Sequence, residues 1–122
     1  MQQDEEPLIL AIDLGTSGPK VALVTPYGRV LDCAIGETRL ILYGHDGAEQ
    51  DPDDWWQAIT AASQQLLAKH PQERRRLAAI CGTSQWSGTV PVDRQGHHLM
   101  NAIIWMDNLG APYVREVTGG PI

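Results

Sequence analysis

The sequence has few cysteines, few basic residues and no long apolar run. Its two cysteines, Cys33 and Cys81, form no CxxC pair, so neither a zinc site nor a redox dithiol is expected. Lys and Arg total 9 against 15 Asp and Glu. The resulting net charge of −6, with a pI near 5.0, argues against a nucleic-acid surface or an anionic-membrane surface. We expect both thiols to be half-buried.

Signals for export or membrane insertion are also missing. The first six residues are acidic where a signal peptide would be basic, and no apolar stretch approaches the roughly 18 residues of a membrane span. We therefore expect a cytoplasmic protein. With 122 residues, of which 43% are hydrophobic, the chain has the size and composition of one globular domain. Intrinsic disorder and collagen-like repeats are excluded, which leaves a soluble enzyme or a binding module.

The first 40 residues predict three antiparallel strands. Residues 8–12 are continuously apolar, which is typical of a strand covered on both faces. A turn rich in glycine and hydroxyl side chains follows at residues 13–19, and apolar residues resume at 20–24. Residues 30–35 supply a third strand. Connections this short require antiparallel pairing, so the segment predicts a three-strand meander.

A loop and then a helix are expected next. Residues 36–50 have a mixed composition and predict a loop. Asp51 is a suitable helix cap, and Pro52 lies where a first-turn proline is tolerated. We predict a helix over residues 52–69 that packs on the sheet through the residues of its apolar stripe, which are Trp55, Ile59, Ala62 and Leu66.

The second half of the chain repeats part of this layout. Residues 77–81 form another apolar run that ends in a turn of small residues at 82–88. Further short strands are expected at 89–92 and 100–106, and a helix is expected to start around residues 111–117. The predicted fold class is therefore α/β, with an antiparallel N-terminal meander and one packed helix.

The turn after the first strand is the strongest candidate for chemistry. Asp13 ends a strand that we expect to be buried, and a carboxylate there needs a metal, a cation or hydrogen-bond donors to stay ionised. Residues 15–18 offer backbone N–H groups and two hydroxyls that suit phosphate oxygens, and Lys20 adds a cation. The sequence GxxxxGK[ST] of a Walker loop is absent. A tight hairpin with only structural glycines is the alternative.

Four segments together resemble the FGGY family of carbohydrate kinases, near its xylulokinase branch. Residues 12–20 resemble the first phosphate motif of the wider sugar-kinase, Hsp70 and actin superfamily. Residues 49–56, with Glu-Gln-Asp-Pro and then Trp-Trp, come next in the order that the FGGY family shows. Residues 82–88 and residues 104–107, Ile-Trp-Met-Asp, complete that order. The resemblance implies an actin-like, ribonuclease H-like sheet and transfer of the γ-phosphoryl group of ATP to a sugar or polyol.

The resemblance also implies a phosphate site in the first turn. Asp13 matches the family aspartate beside the Mg²⁺–phosphate site, where it serves catalysis and the metal. Gly15, Thr16 and Ser17 match the phosphate hairpin, and Lys20 is assigned with them to nucleotide binding. The implied cofactors are therefore ATP and Mg²⁺.

A sugar site is implied by the later motifs. Gln85, Trp86 and Ser87 lie where xylulokinases place sugar-contacting residues, although the family has His at the position of Ser87. Trp105 matches a family tryptophan that lines the substrate pocket, and Asp107 follows it. An indole face can stack on a sugar and a hydroxyl can bond to one. The expected ligand is a small sugar or polyol, and D-xylulose is not selected over its neighbours.

The resemblance covers the opening part of the family's first domain. We expect residues 1–7 to be a disordered tail and residues 8–122 to be the N-terminal portion of that domain, left incomplete. The family's catalytic Asp and its adenosine-binding segments have no counterpart, so the chain alone is expected to be inactive. The expected partner is the small-molecule substrate, without nucleic acid or membrane, and a homodimer is one option.

Two other functions remain open at this point. A non-catalytic small-ligand or interaction module could keep the hairpin fold without phosphoryl transfer. An Hsp70-type or actin-type ATPase would share residues 13–16, but it would not account for the motifs at residues 50–55 and 105–107.

Overall fold

The computed structural model describes residues 6–120, except for the side chain of Arg115. Within this range the strands and α-helices are β1 (Leu8–Gly15), β2 (Gly18–Val24), β3 (Val30–Ile35), β4 (Ile41–Tyr43), β5 (Gly47–Gln50), α1 (Pro52–Lys69), β6 (Leu77–Ser84), β7 (Ala102–Ile103) and α2 (Val114–Thr118). Short 3-10 helices occupy Glu73–Arg76 and Ala111–Tyr113.

The chain divides into two compact units. Unit 1 contains the chain up to Arg39 together with Asp53–Gln85, and unit 2 contains Leu40–Pro52 and the chain from Trp86 onward. Each unit has its own sheet, and the cluster of buried apolar residues lies in unit 1.

Unit 1 has a four-stranded sheet in the order β3-β2-β1-β6. β1 pairs with β2 and β2 pairs with β3 in antiparallel fashion, which confirms the predicted meander. β6 pairs with β1 in parallel, with Leu10 opposite Ile80 and Asp13 opposite Thr83. A parallel neighbour requires a crossover, and α1 lies in that connection. This mixed sheet and its helix form the actin-like arrangement that the family resemblance implied.

Helix α1 covers one face of the sheet of unit 1. Its bounds match the predicted 52–69, and Asp53 and Asp54 in its first turn and Lys69 in its last turn complement the helix dipole. Within the predicted stripe Trp55 and Ile59 are half-buried. The buried core of unit 1 consists of Leu10, Val21, Leu23, Ala34, Ala62 and Leu66.

The opposite face of the same sheet is open. Residues that alternate with the core positions, such as Ala11 and Ala22, are only half-buried, so the expectation that the first strand is covered on both faces is wrong. Cys33 and Cys81 are both exposed, which also corrects the expectation of half-buried thiols. Both cysteines lie in register with those alanines, on the face away from α1.

Unit 2 is built on a small sheet in the order β4-β5-β7. The loop predicted over residues 36–50 is in part a hairpin, because β4 and β5 pair there. The strand predicted at 89–92 is reduced to isolated bridges, Thr89 with Ile103 and Val92 with His98. Of the strand predicted at 100–106, only two residues form β7. The helix start predicted near residues 111–117 is confirmed.

The two ends of the chain are only partly described. The disordered tail predicted for residues 1–7 falls mostly on residues 1–5, which lie outside the described residues, as do residues 121–122. Across the described helices, none combines the length and apolar character that crossing a membrane requires.

Candidate functional site

The turn between β1 and β2 is a tight two-residue hairpin. Gly15 pairs with Gly18, which leaves Thr16 and Ser17 at the tip. Gly18 has a φ of 137°, a conformation that favours glycine, and an added Cβ would overlap the carbonyl of Gly36. A glycine is therefore required at position 18 both by its backbone angle and by the chain segment that passes beside it.

Three polar side chains form a row across the open face of the sheet beside this hairpin. Asp13 on β1 lies opposite Lys20 on β2 and opposite Thr83 on β6. The Lys20 Nζ lies 3.8 Å from the Asp13 carboxylate, and both side chains are more than half exposed. Asp13 therefore does not end a buried strand, which corrects the burial argument made from the sequence. Its carboxylate stays within reach of ligands from solvent.

An open cavity of about 310 Å³ adjoins this row. Its floor is made of small residues of three strands, including Ala11, Ala22 and Cys81, while Asp13 and Lys20 stand at its polar end. Because the floor side chains are short, a ligand can lie close to the sheet backbone. The cavity thus combines an apolar base with one carboxylate and one ammonium group.

The hairpin tip is held from two sides within unit 1. On one side the Thr16 hydroxyl donates a hydrogen bond to Oε1 of Gln85 at 3.0 Å, and the Gln85 backbone N–H donates to the Leu14 carbonyl at 2.8 Å. On the other side the Thr38 N–H donates to the Ser17 carbonyl at 3.2 Å, and the Thr38 hydroxyl donates to the Thr16 carbonyl at 3.4 Å. The tip is therefore a fixed rather than a loose turn.

Three of the predicted sugar-site residues belong to two segments of unit 2 that a backbone bridge joins. Thr89 and Ile103 exchange backbone hydrogen bonds of 2.8 and 3.0 Å in this antiparallel bridge. The bridge lies shortly after Trp86 and Ser87 in one segment and shortly before Trp105 in the other. Trp86 is 77% exposed and Trp105 is 49% exposed. Two indoles thus offer accessible faces.

Asp107 organises the backbone of unit 2. One carboxylate oxygen accepts the Ala48 N–H at 3.0 Å, and the other accepts the Leu109 N–H at 3.1 Å. Nearby, Glu49 accepts hydrogen bonds from the Tyr43 hydroxyl at 2.8 Å and from the Asn101 amide at 3.0 Å. The hydrogen bond to Glu49 raises the pKa of Tyr43 above its ordinary value of 10.0, because the carboxylate favours the protonated phenol.

The structure brings together the residues predicted for the phosphate site, and Gln85, predicted with the sugar site, contacts Thr16 of this group. Gln85 belongs to unit 1 with the hairpin, whereas the four other predicted sugar residues belong to unit 2. Thr38 and Thr83 were missed from the sequence. A signal existed for Thr83, because it lies in the turn that follows a second apolar run, whereas Thr38 lies in a segment without any pattern.

The fold of unit 1 and its hairpin indicate a class of protein. The mixed sheet of unit 1 and its glycine-flanked hairpin beside Asp13 and Lys20 agree with the resemblance to the carbohydrate kinases. Comparison with family models agrees, because residues 8–119 match the model of the N-terminal domain of the FGGY family of carbohydrate kinases. The chain belongs to this family.

Individual relatives give the same result. The chain is 32% identical over 111 residues to a xylulose kinase of Staphylococcus epidermidis and 30% identical over 120 residues to an erythritol kinase of Brucella abortus. These alignments cover 90% and 98% of this chain, but 22% and 23% of those proteins. A solved structure described as a xyloylose kinase from Brucella ovis has a TM-score of 0.86 and 29% identity, and the match covers 92% of this chain and 24% of that one. The chain thus spans about a quarter or less of the length of these relatives.

Proposed function

We propose that the chain forms the phosphate-binding part, and a portion of the acceptor site, of an enzyme that transfers the γ-phosphoryl group of ATP to a hydroxyl of a sugar or polyol. The observation that supports this most is the row of Asp13 and Lys20 beside a fixed glycine-flanked hairpin, in a chain of a carbohydrate-kinase family. Residues 8–122 would form the N-terminal portion of the first kinase domain.

The charges at the hairpin suit phosphoryl transfer. In this reaction negative charge spreads over the equatorial oxygens of the transferred group, and catalysis depends mainly on positioning and on neutralising that charge. Lys20 places an exposed ammonium group at the edge of the cavity, and the Thr83 hydroxyl lies on the other side of Asp13. These groups would orient the phosphate tail of the nucleotide against the open face of the sheet.

Magnesium fits the carboxylate of Asp13. This side chain is 52% exposed and the Lys20 ammonium group lies 3.8 Å from it, so its oxygens remain accessible to a hard cation that prefers oxygen ligands. When bound, Mg²⁺ supplies charge neutralisation at the phosphate oxygens. The role that we assign to Asp13 is to hold that cation at the end of β1.

The acceptor would lie against the exposed edge of unit 2. Trp86 and Trp105 offer aromatic faces that can stack on the apolar side of a sugar, and the Ser87 hydroxyl can bond to a sugar hydroxyl. Asp107 acts in this account by fixing the turn after Trp105, because both of its oxygens accept backbone N–H groups. The substrate class is a ketopentose or a related small polyol.

The test of this function is a substitution at Asp13. In the complete gene product, Asp13→Ala should lower kcat at least about 100-fold, which corresponds to about 2.7 kcal/mol of transition-state stabilisation, because the group that holds the metal is lost. The KM for the sugar should change little, since Asp13 lies on the phosphate side. Steady-state kinetics with the preferred acceptor measures both values.

Glu116→Gln is the matched control, because it removes one exposed carboxylate from α2 of unit 2, whereas the hairpin belongs to unit 1. It should leave kcat unchanged. Near wild-type turnover by the Asp13→Ala variant would show that the hairpin is not the phosphate site. A complete wild-type product that phosphorylates no sugar would instead support the non-catalytic module.

A further inference from the structure

Gln85 lies in unit 1 at the point where β6 ends beside β1. It is the residue after β6, and its backbone N–H continues the parallel pairing with β1 by donating to the Leu14 carbonyl at 2.8 Å. Because β1 leads directly into the hairpin, this bond places Gln85 beside the hairpin tip. Its position follows from the pairing of β6 with β1 and not from its neighbours in sequence.

The side chain of Gln85 acts on the tip itself. Its Oε1 accepts the proton of the Thr16 hydroxyl at 3.0 Å, in a partly buried contact between residues 69 positions apart. A free threonine hydroxyl rotates among staggered positions, whereas a hydrogen bond to a fixed acceptor selects one of them. Thr38 holds the backbone of the same turn from the other side, so the Gln85 contact adds control of the Thr16 side chain.

We propose that Gln85 is a positioning residue of the phosphate hairpin, acting through the Thr16 hydroxyl, and not a sugar-contacting residue. The proposal rests on the proposed function, since it assigns Gln85 to the phosphate side of that site. It separates Gln85 from the adjacent Trp86 and Ser87, which belong to unit 2. Of the three consecutive residues 85–87, Gln85 would then orient the hairpin, and Trp86 and Ser87 would contact the acceptor.

A double-mutant cycle on the complete gene product tests the proposal. Gln85→Leu keeps the approximate bulk but removes the acceptor, and Thr16→Val removes the donor. Each should weaken ADP binding, measured by calorimetry without sugar, and lower kcat, both by about tenfold, as expected for loss of one hydrogen bond. The sugar KM should stay within about twofold. The double variant should be no worse than the poorer single variant, and Thr16→Ser should restore wild-type values.

Gln65→Leu is the matched control, because Gln65 is an exposed glutamine of α1. Thermal melting of every variant identifies loss of folding, and Thr16→Val probes the same contact if Gln85→Leu does not fold. A raised sugar KM with unchanged ADP binding in Gln85→Leu, or effects that multiply in the double variant, would overturn the positioning role alone. A wild-type protein that neither binds ADP nor phosphorylates a sugar would overturn the proposed function, and this role with it.

Discussion

His70, directly after α1, is tied to β3 through the carboxylate of Asp32. The imidazole Nε2 lies 2.8 Å from Asp32 Oδ2, and the Cys33 backbone N–H donates to Oδ1 of the same group at 2.8 Å. Glu73 lies 3.8 Å from the other ring nitrogen. The hydrogen bond from His70, then that from Cys33, and the charge of Lys69 hold the pKa of Asp32 below its ordinary value of 3.8.

This contact predicts an acid-sensitive contribution to stability. A carboxylate whose pKa is lowered by folding stabilises the fold above its unfolded pKa, and this stabilisation is lost as the pH falls through the lower folded value. Asp32→Asn should therefore reduce the free energy of unfolding at about pH 7 and lose most of that effect below about pH 3.8. Urea unfolding of the chain at several pH values measures the difference. The same loss at acidic and neutral pH would contradict this account.

At the scale of elements, the β1–β2 hairpin carries the tightest sequence requirement. Gly18 has a positive φ, and its Cα faces the carbonyl of Gly36 closely enough that an added methyl group would overlap it. Gly36 in turn fits between Pro19 and Ala58 of α1. The hairpin, the segment after β3 and the helix are therefore packed against one another through two glycines.

Gly18→Ala should destabilise the chain by more than about 1 kcal/mol. A strained backbone conformation alone usually costs about 1–3 kcal/mol, and the overlap of the added Cβ with the Gly36 carbonyl increases this cost. Gly82→Ala is the control within the same sheet, because a Cβ there would meet no atom within 4 Å. Urea unfolding of both variants measures the difference. If Gly18→Ala were as stable as Gly82→Ala, the close approach of the hairpin to Gly36 would be wrong.

Elements with a strong local pattern could be predicted from the sequence. β1, β2, β3 and α1 follow from apolar runs, short turns and a helical stripe, and their bounds agree within a few residues. The β4–β5 hairpin was missed because its two short strands surround the polar turn at residues 44–46 and show no clear alternation. β7 was overestimated, because an apolar run does not reveal how few of its residues find a partner strand.

The candidate site was predictable only where its residues are neighbours in sequence. Asp13, Lys20 and the hairpin tip lie within one turn, so their proximity follows from the meander. The contact of Gln85 with the hairpin requires the pairing of β6 with β1, a long-range contact that the sequence pattern does not specify. The exposure of Asp13 also depends on which sheet face α1 covers, and the apolar run alone suggested burial on both faces.

At the scale of the whole molecule, unit 1 presents an open sheet face and two outer strands with exposed apolar side chains. Ile80 on β6 is 72% exposed and Ile35 on β3 is 67% exposed. Apolar surface of this kind marks a place where another segment or molecule packs. The relatives are roughly four times the length of this chain or longer, so the proposed catalytic cycle belongs to the complete gene product.

The most direct measurement is a phosphorylation assay of the complete gene product with Mg²⁺ and ATP. The acceptors are xylulose, ribulose, glycerol, gluconate and erythritol, and mass spectrometry detects the product. We predict an acceptor-dependent release of ADP and one added phosphate on at least one ketopentose or small polyol. A folded product that releases no ADP in response to any acceptor and adds no phosphate would contradict the assignment of this site to sugar phosphorylation.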